Sequence, residues 1–272
     1  MISIIILTKN EEYDLPSCIN AVTWCDDVHV VDSGSSDKTI EIAYQLGAKV
    51  CVNTFESFAQ QRNWALDNCN TKNEWILFLD ADEHSTVAFQ NALEDAVLHA
   101  SEDVAGFFCC GKTMLNQRWL KRSDNFPKWQ FRLLRKNSSR FIDIGHGQKE
   151  GKVNGRLGYI KEPYLHFAFS HGFEAWRTKH LTYAKKDSKE IFKSRISLLS
   201  LISRHSSKRN TAIRFLARRM PAWPLVRFCY SYLLRGGLTE GKEGLLYCQK
   251  MLWYERQVRQ QLRLLNNGQK SI

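Results

Sequence analysis

Short apolar runs alternate with polar turns through the first third of the chain, and this alternation constrains the fold more than any other feature. Ile2-Ser3-Ile4-Ile5-Ile6-Leu7 is almost continuously apolar, the pattern of a strand buried on both faces. The polar turn Thr8 to Glu12 follows, then a short helical stretch with Leu15, Ile19 and Val22 along one side. Val28-His29-Val30-Val31 reads as a second strand, ending in Asp32-Ser33-Gly34-Ser35-Ser36-Asp37. That turn supplies capping residues for a helix from Lys38 to Leu46, which Gly47 stops. Lys49-Val50-Cys51-Val52 makes a third strand, and Phe58, Ala65, Leu66 and Cys69 mark a further helix face. A fourth strand, Trp75 to Leu79, runs into Asp80-Ala81-Asp82-Glu83. This order predicts an α/β fold with a mostly parallel central sheet, flanked by helices and joined by right-handed crossovers. Such sheets bind ligands outside the carboxyl ends of their strands. The turns at residues 8–12, 32–37 and 80–83 are therefore expected to converge on one edge.

No Gly-x-Gly-x-x-Gly follows the first strand and no Gly-Lys-Ser/Thr loop occurs, which disfavours a dinucleotide dehydrogenase or a P-loop enzyme. Asp80-Ala81-Asp82 offers another way to manage phosphates. Two carboxylates one residue apart, at the end of a buried strand, can face a hard divalent cation such as Mg²⁺ or Mn²⁺. A solvated acidic turn is the plain alternative. Asp32 likewise reads either as a turn former or as an acceptor for a base or ribose.

Taken together and in order, these segments resemble family 2 glycosyltransferases of the GT-A fold. The resemblance rests on Thr8-Lys9-Asn10-Glu11-Glu12, on Val31 to Thr39, on Gln61-Arg62-Asn63-Trp64-Ala65 and on Leu79-Asp80-Ala81-Asp82-Glu83. It covers about the first 90 residues and points to bacterial transferases of the lipopolysaccharide-core type. What it implies is a nucleotide-sugar site formed by Thr8, Asn10, Glu11, Glu12, Asp32, Ser33, Asp37, Arg62 and Asp80. Asp32 would meet the base, and Glu11 or Glu12 would help hold base and ribose. Asp80 and Asp82 would place Mg²⁺ or Mn²⁺ on the diphosphate. Arg62 would line the same pocket or pair with a front-half carboxylate. The family's usual chemistry is a single inverting displacement, in which a carboxylate deprotonates the acceptor hydroxyl. UDP-sugars are its commonest donors.

The middle of the chain reads as strands finishing the sheet, at Gly106 to Cys110, Phe131 to Leu134, Arg140 to Ile144 and Tyr164 to Phe169. Trp119 and Trp129, among basic residues, suit either a sugar platform or an exposed sheet face. Relatives usually place an Asp or Glu after the later strands, often as a His-Glu pair, but this chain has Gly145-His146-Gly147-Gln148-Lys149-Glu150. Glu150 is the first candidate for the base, with Asp143 and then Asp124 behind it. His146 reads as a metal ligand, a substrate contact or a structural histidine.

Charge divides the chain. Residues 1–105 hold 5 Lys and Arg against 18 Asp and Glu, whereas residues 176–272 hold 21 against 5. The expected organisation is a catalytic domain over 1–175 and a basic, amphipathic helical extension over 176–272. Aromatic and leucine side chains among those bases suit a helix lying on an anionic leaflet. No apolar run reaches the roughly 20 residues a spanning helix needs. A strand-like start, without a basic flank or cleavage site, gives the expectation of a cytoplasmic protein, peripheral on the inner-membrane surface. Eight cysteines without a Cys-x-x-Cys pair read as reduced core thiols. The partners expected are a nucleotide-sugar donor and a glycan or lipid-linked acceptor, with no nucleic acid. Two alternatives compete: a nucleotidyltransferase, which would release pyrophosphate, and a nucleic-acid-binding protein using the basic region.

Overall fold

A computed structural model describes residues 1–145, 147–193, 201–202 and 206–268. They fall into two compact units, the first comprising Met1–Trp119 and Phe126–His171, the second Leu120–Asn125 and Gly172–Ile272. In the first unit the strands are β1 Ile2–Thr8, β2 Val28–Asp32, β3 Lys49–Val52, β4 Trp75–Asp80, β5 Glu83–His84 and β6 Val104–Leu115. They continue as β7 Arg118–Trp119, β8 Trp129–Arg135, β9 Ser139–Ile144, β10 Gly147–Val153, β11 Arg156–Tyr159 and β12 Tyr164–His166. Its helices are α1 Leu15–Asn20, α2 Thr39–Gln45, α3 Phe58–Asn68 and α4 Val87–Leu98.

The main sheet runs β3-β2-β1-β4-β8-β6-β12-β5, with β7 and β11 paired to β6. Its first four strands are mutually parallel, as the alternating pattern predicts. Every residue of β1 is buried, because helices cover both faces. Ile2, Ile4 and Ile6 point into a core shared with Leu15, Ile19, Phe89 and Leu93 of α1 and α4. Ile5 and Leu7 point the other way, toward Ala59, Ala65 and Leu66 of α3. Each fully buried side chain of this size contributes about 1.5–3 kcal/mol. Helix starts are set locally: Ser57 accepts the Gln60 N–H before α3, and Thr86 accepts the Phe89 N–H before α4.

One expectation is corrected. Residues 140–144 do not finish the main sheet; β9 pairs only with β10, as a separate two-stranded sheet. Phe141 is buried, but residues 142–144 are exposed, so this stretch lacks the continuous burial of the central strands.

In the second unit, α5 Gly172–Lys193, α6 Ser206–Arg219 and α7 Trp223–Cys229 precede a π turn over Tyr230–Leu234, a 3-10 turn over Gly237–Glu240 and α8 Gly241–Gly268. Tyr247, Tyr254, Val258 and Leu262 form the buried stripe of α8, while Trp176, Ala184 and Ile191 are buried along α5. Buried acids tie the unit together. Glu240 accepts the Arg122 and Ser123 N–H groups at 2.5 and 3.0 Å. Asp187 accepts from Arg218 and the Tyr254 hydroxyl at 3.1 and 2.8 Å.

Candidate active site

The parallel register brings the chemistry together. Thr8 stands opposite Asp32, and Leu7 opposite Asp80, so the loops after β1, β2 and β4 leave one edge of the sheet. The first two loops are laced to each other. Asn10, at φ +56°, donates its N–H to Ser35 Oγ at 2.7 Å and accepts the Ser36 N–H at 2.8 Å. The Glu11 N–H meets Thr39 Oγ1 at 2.8 Å, and Glu12 exchanges contacts with Asp37 and the Lys38 N–H at 3.2 and 3.1 Å. Asp37 also accepts the Thr39 N–H at 3.0 Å. Burial opposes ionisation of Asp37, but the Thr39 hydroxyl and these N–H groups outweigh it and hold the carboxyl below its ordinary range.

Asp32 is fully buried and fully used. Its Oδ1 accepts the Gly34 and Ser35 N–H groups, both at 2.8 Å, and its Oδ2 accepts the Thr8 and Ser35 hydroxyls at 3.0 and 2.5 Å. Four donors saturate a carboxylate. A base or ribose can reach Asp32 only by displacing a hydroxyl. Gly34, at φ +81°, lets the turn close over that carboxylate. Ser33 is buried and takes a hydrogen bond from the Gln61 amide.

The acid pair after β4 has the densest electrostatics. Asp80 accepts Arg62 Nη2 on Oδ1 at 3.0 Å and Arg132 Nη2 on Oδ2 at 2.9 Å. Arg132 Nη2 also reaches Glu83 Oε1 at 2.5 Å, and Glu83 Oε2 accepts the Asp80 N–H at 3.0 Å. Arg62 is fully buried, its guanidinium 5.6 and 5.9 Å from the Phe78 and Phe141 ring centres, and it pairs with a carboxylate. Yet Nε and Nη1 of both arginines are buried without hydrogen-bond partners. Burial lowers the pKa of Arg62, whereas Asp80 and Glu83 overcome burial to raise that of Arg132. Burial, with Asp80 and Asp82 nearby and Arg132 opposing, pushes Glu83 up to about 7.

Asp82 faces His166 Nε2 at 3.5 Å, and its carbonyl accepts the Phe167 N–H at 2.8 Å. Burial favours neutral His166, but Asp82 first, then Glu83 and Asp80, raise it to about 9. An imidazolium thus answers the negative field of the acid pair. Sequence reasoning missed His166, and it read Glu83 only as part of a motif and Arg132 only as one of the basic residues around Trp119 and Trp129. Arg132 and His166 arrive from β8 and β12, and nothing in their local spacing marks them. Asp14 and His171 are also new, with His171 Nε2 at 3.1 Å from Glu11 and 3.0 Å from Asp14.

The base candidates come from later elements. Asp143 spends Oδ1 on the Ala59 N–H at 3.2 Å, in the first turn of α3. Glu150 is half-buried on β10, opposite Phe141. Asp124, in the second unit, accepts the Tyr247 hydroxyl. His146 lies outside the described residues. Trp119 carries Lys112 Nζ over its ring at 4.8 Å, and Trp129 meets Tyr159 edge-on.

The family model of glycosyl transferase family 2 matches residues 3–157, which take in the turns after β1, β2 and β4 together with Arg62 and Arg132, while His166 and His171 lie past its end. The chain belongs to that family. Its GT-A architecture is the one described above: a mostly parallel sheet whose fourth strand ends in Asp-x-Asp, followed by a helical region. Over 103 residues the chain is 42% identical to an uncharacterized glycosyltransferase of Rickettsia bellii, covering 38% of this chain and 34% of that one. It is 27% identical to the lipopolysaccharide core biosynthesis glycosyltransferase LpsC of Rhizobium meliloti, over 61% of this chain and 63% of that protein. The chain thus spans less than two thirds of either relative. Among solved structures, S. aureus TarS 1–349 aligns at TM-score 0.45 and 15% identity, over 98% of this chain and 91% of that one.

Proposed function

We propose that this family 2 chain moves a sugar, with inversion, from a nucleotide-sugar donor to a lipid-linked or lipopolysaccharide-type glycan. UDP is the nucleotide of first choice. The observation that carries this reading is the cluster after β4, where Asp80 is clamped by two buried arginines and Asp82 faces His166. Asp80 and Asp82 are the residues that would hold Mg²⁺ or Mn²⁺. The donor set fits: both carboxylates are partly accessible, and carboxylate oxygens are the donors that these hard cations take. Bound there, the cation would supply Lewis-acid stabilisation of charge growing on the departing diphosphate.

The chain's own residues do the rest. Arg62 and Arg132 fix the Asp80 carboxylate and keep positive charge beneath the diphosphate position. The laced loops, through Thr8, Asn10, Glu11, Glu12, Asp32, Ser33 and Asp37, receive the nucleoside, with a Thr8 or Ser35 hydroxyl yielding its place on Asp32. Glu150 takes the proton from the acceptor hydroxyl, and Asp143 positions the start of α3. A carboxylate in the base role contributes about 10²–10⁴-fold. Glu150→Gln should therefore lower turnover by about that factor while leaving donor binding intact.

The second unit suits the cytoplasmic surface of an anionic membrane. Leu225, Val226, Tyr230, Leu233 and Leu234 are exposed there, in a region rich in Lys and Arg. No helix among the described residues is long and apolar enough to cross a bilayer. Salt-sensitive sedimentation with anionic but not neutral vesicles is the expected result.

The deciding experiment offers the chain a panel of nucleotide sugars with Mn²⁺ and a lipid-linked acceptor, and identifies the nucleotide released. Nucleoside diphosphate is expected. Pyrophosphate, or no release from any donor, would overturn the reading.

A further inference from the structure

We propose that His29, Cys51 and Cys69 form a zinc site, with His29 Nδ1 and the two cysteine sulfurs as ligands. His29 lies on β2, Cys51 on β3, and Cys69 is the residue that ends α3. His29 stands opposite Lys49 and Val31 opposite Cys51, so His29 and Cys51 project from the same face of the sheet. Cys51 and Cys69 pack within the core that α3 shares with that face. A ring nitrogen of His29 and the two sulfurs all lie within 4.8 Å of one another. The sulfurs are 3.7 Å apart. Two thiolates bound at about 2.3 Å to one tetrahedral ion would stand about 3.8 Å apart. A disulfide would need about 2 Å.

The histidine is already set for the task. It is 1% exposed, and its Nδ1 is buried with no hydrogen-bond partner. An orphaned ring nitrogen in a packed interior is a cost that a ligand would remove. Its other nitrogen, Nε2, meets Asp27 Oδ1 at 3.1 Å. Asp27 also accepts from Ser3 Oγ at 2.5 Å, Lys49 Nζ at 2.6 Å and the Lys72 N–H at 2.7 Å. A carboxylate so held only accepts, so Nε2 carries the imidazole proton and Nδ1 presents its lone pair. A carboxylate behind a ligating imidazole is the usual support of a metal-bound histidine.

On binding, the Cys51 and Cys69 thiols each release a proton to the buffer as the two zinc–sulfur bonds form; the imidazole releases none. The thiolates select zinc, whereas the carboxylate-rich site after β4 suits Mg²⁺ or Mn²⁺, so donor type keeps the two ions apart. The zinc would join β2, β3 and the end of α3 at the end of the sheet away from Asp80. The inference stands independently of the transferase reading.

The test uses the full chain, reduced, stripped with a chelator and titrated with Zn²⁺ and with Co²⁺. Expected are a zinc-dependent rise in thermal midpoint and a thiolate-to-cobalt charge-transfer band in the near ultraviolet. The carboxylates and imidazole of Glu11, Asp14 and His171 cannot produce that band. Cys51→Ser and Cys69→Ser should each abolish it, and Asp27→Asn should weaken zinc binding about 10- to 100-fold. A folded wild-type chain with no thiolate band overturns the proposal, as does a band that survives in both cysteine variants. So does a Cys51–Cys69 disulfide that forms in place of zinc uptake in the presence of both air and zinc. The wild-type spectrum decides the question even where a variant fails to fold.

Discussion

Asp27 and Asp80 stand at opposite ends of the same parallel strands, and the chain treats them differently. Asp27, before β2, is fully buried and accepts from a hydroxyl, an ammonium, an imidazole and a backbone N–H. Burial alone would raise its pKa, but Lys49, Ser3 and the Lys72 N–H reverse this and hold the carboxyl far below its ordinary range. Asp80, after β4, has a side chain 39% exposed and rests on two guanidinium groups whose remaining buried N–H groups lack partners. Beside it, Glu83 is pushed up to about 7. The amino edge is a closed network that holds three strands together. The carboxyl edge keeps charge concentrated and incompletely compensated, the usual condition of a site arranged for a ligand rather than for stability.

The largest effect that separates the two edges is catalytic. Asp82→Ala should lower sugar transfer by about 10²–10³-fold, as loss of a transition-state charge stabiliser does. Its chemical-denaturation midpoint should stay close to wild type, and a collapse of stability instead would erase the distinction between edges. Asp27→Ala should act the other way. It leaves four donors without their acceptor and should cost about 3 kcal/mol in denaturant unfolding, with turnover of the folded fraction retained. Arg62→Met sharpens the comparison further. Because two of the three guanidinium nitrogens are unsatisfied, and Asp80 keeps both Arg132 and solvent, an apolar chain of similar length against Phe78 and Phe141 should change stability by less than about 1 kcal/mol. Donor affinity, measured by calorimetry, should nevertheless fall.

The smallest effect concerns pH. Asp37 has a depressed pKa in the folded state, so its contribution is fully present above the ordinary carboxylate pKa and fades as pH falls through the folded value. Asp37→Asn should therefore lie below wild type in thermal midpoint at pH 6 and converge with it in strong acid. A constant gap at every pH would mean that the carboxylate charge does not fasten the loop.

Much of this edge was legible from residue order. The unbroken apolar runs of β1 and β4, the capping turns and the placement of Asp80-Ala81-Asp82 after a buried strand predict the parallel core and its binding edge. The separate β9–β10 sheet escaped because apolar and aromatic residues alternate there much as in a sheet strand, and only burial tells the two apart. Asp32 was open to two readings, and its four donors come from two loops that local periodicity cannot align. Glu83 was quoted as part of a motif, but its partner Arg132 lies 49 residues away.

What the sequence determined by itself is therefore local: which stretches are strands, where helices start and stop, and which acidic turns share an edge. Those follow from hydrophobic period and capping chemistry acting over a few residues. Only the tertiary structure decided that Asp80 would be shared by Arg62 and Arg132, that Asp82 would face His166, and that His29 would stand beside Cys51 and Cys69. These pairings join strands and helices distant in the chain. Their geometry depends on strand register and packing, because a charge or a lone pair responds to whatever lies within a few ångströms of it, however far away in sequence.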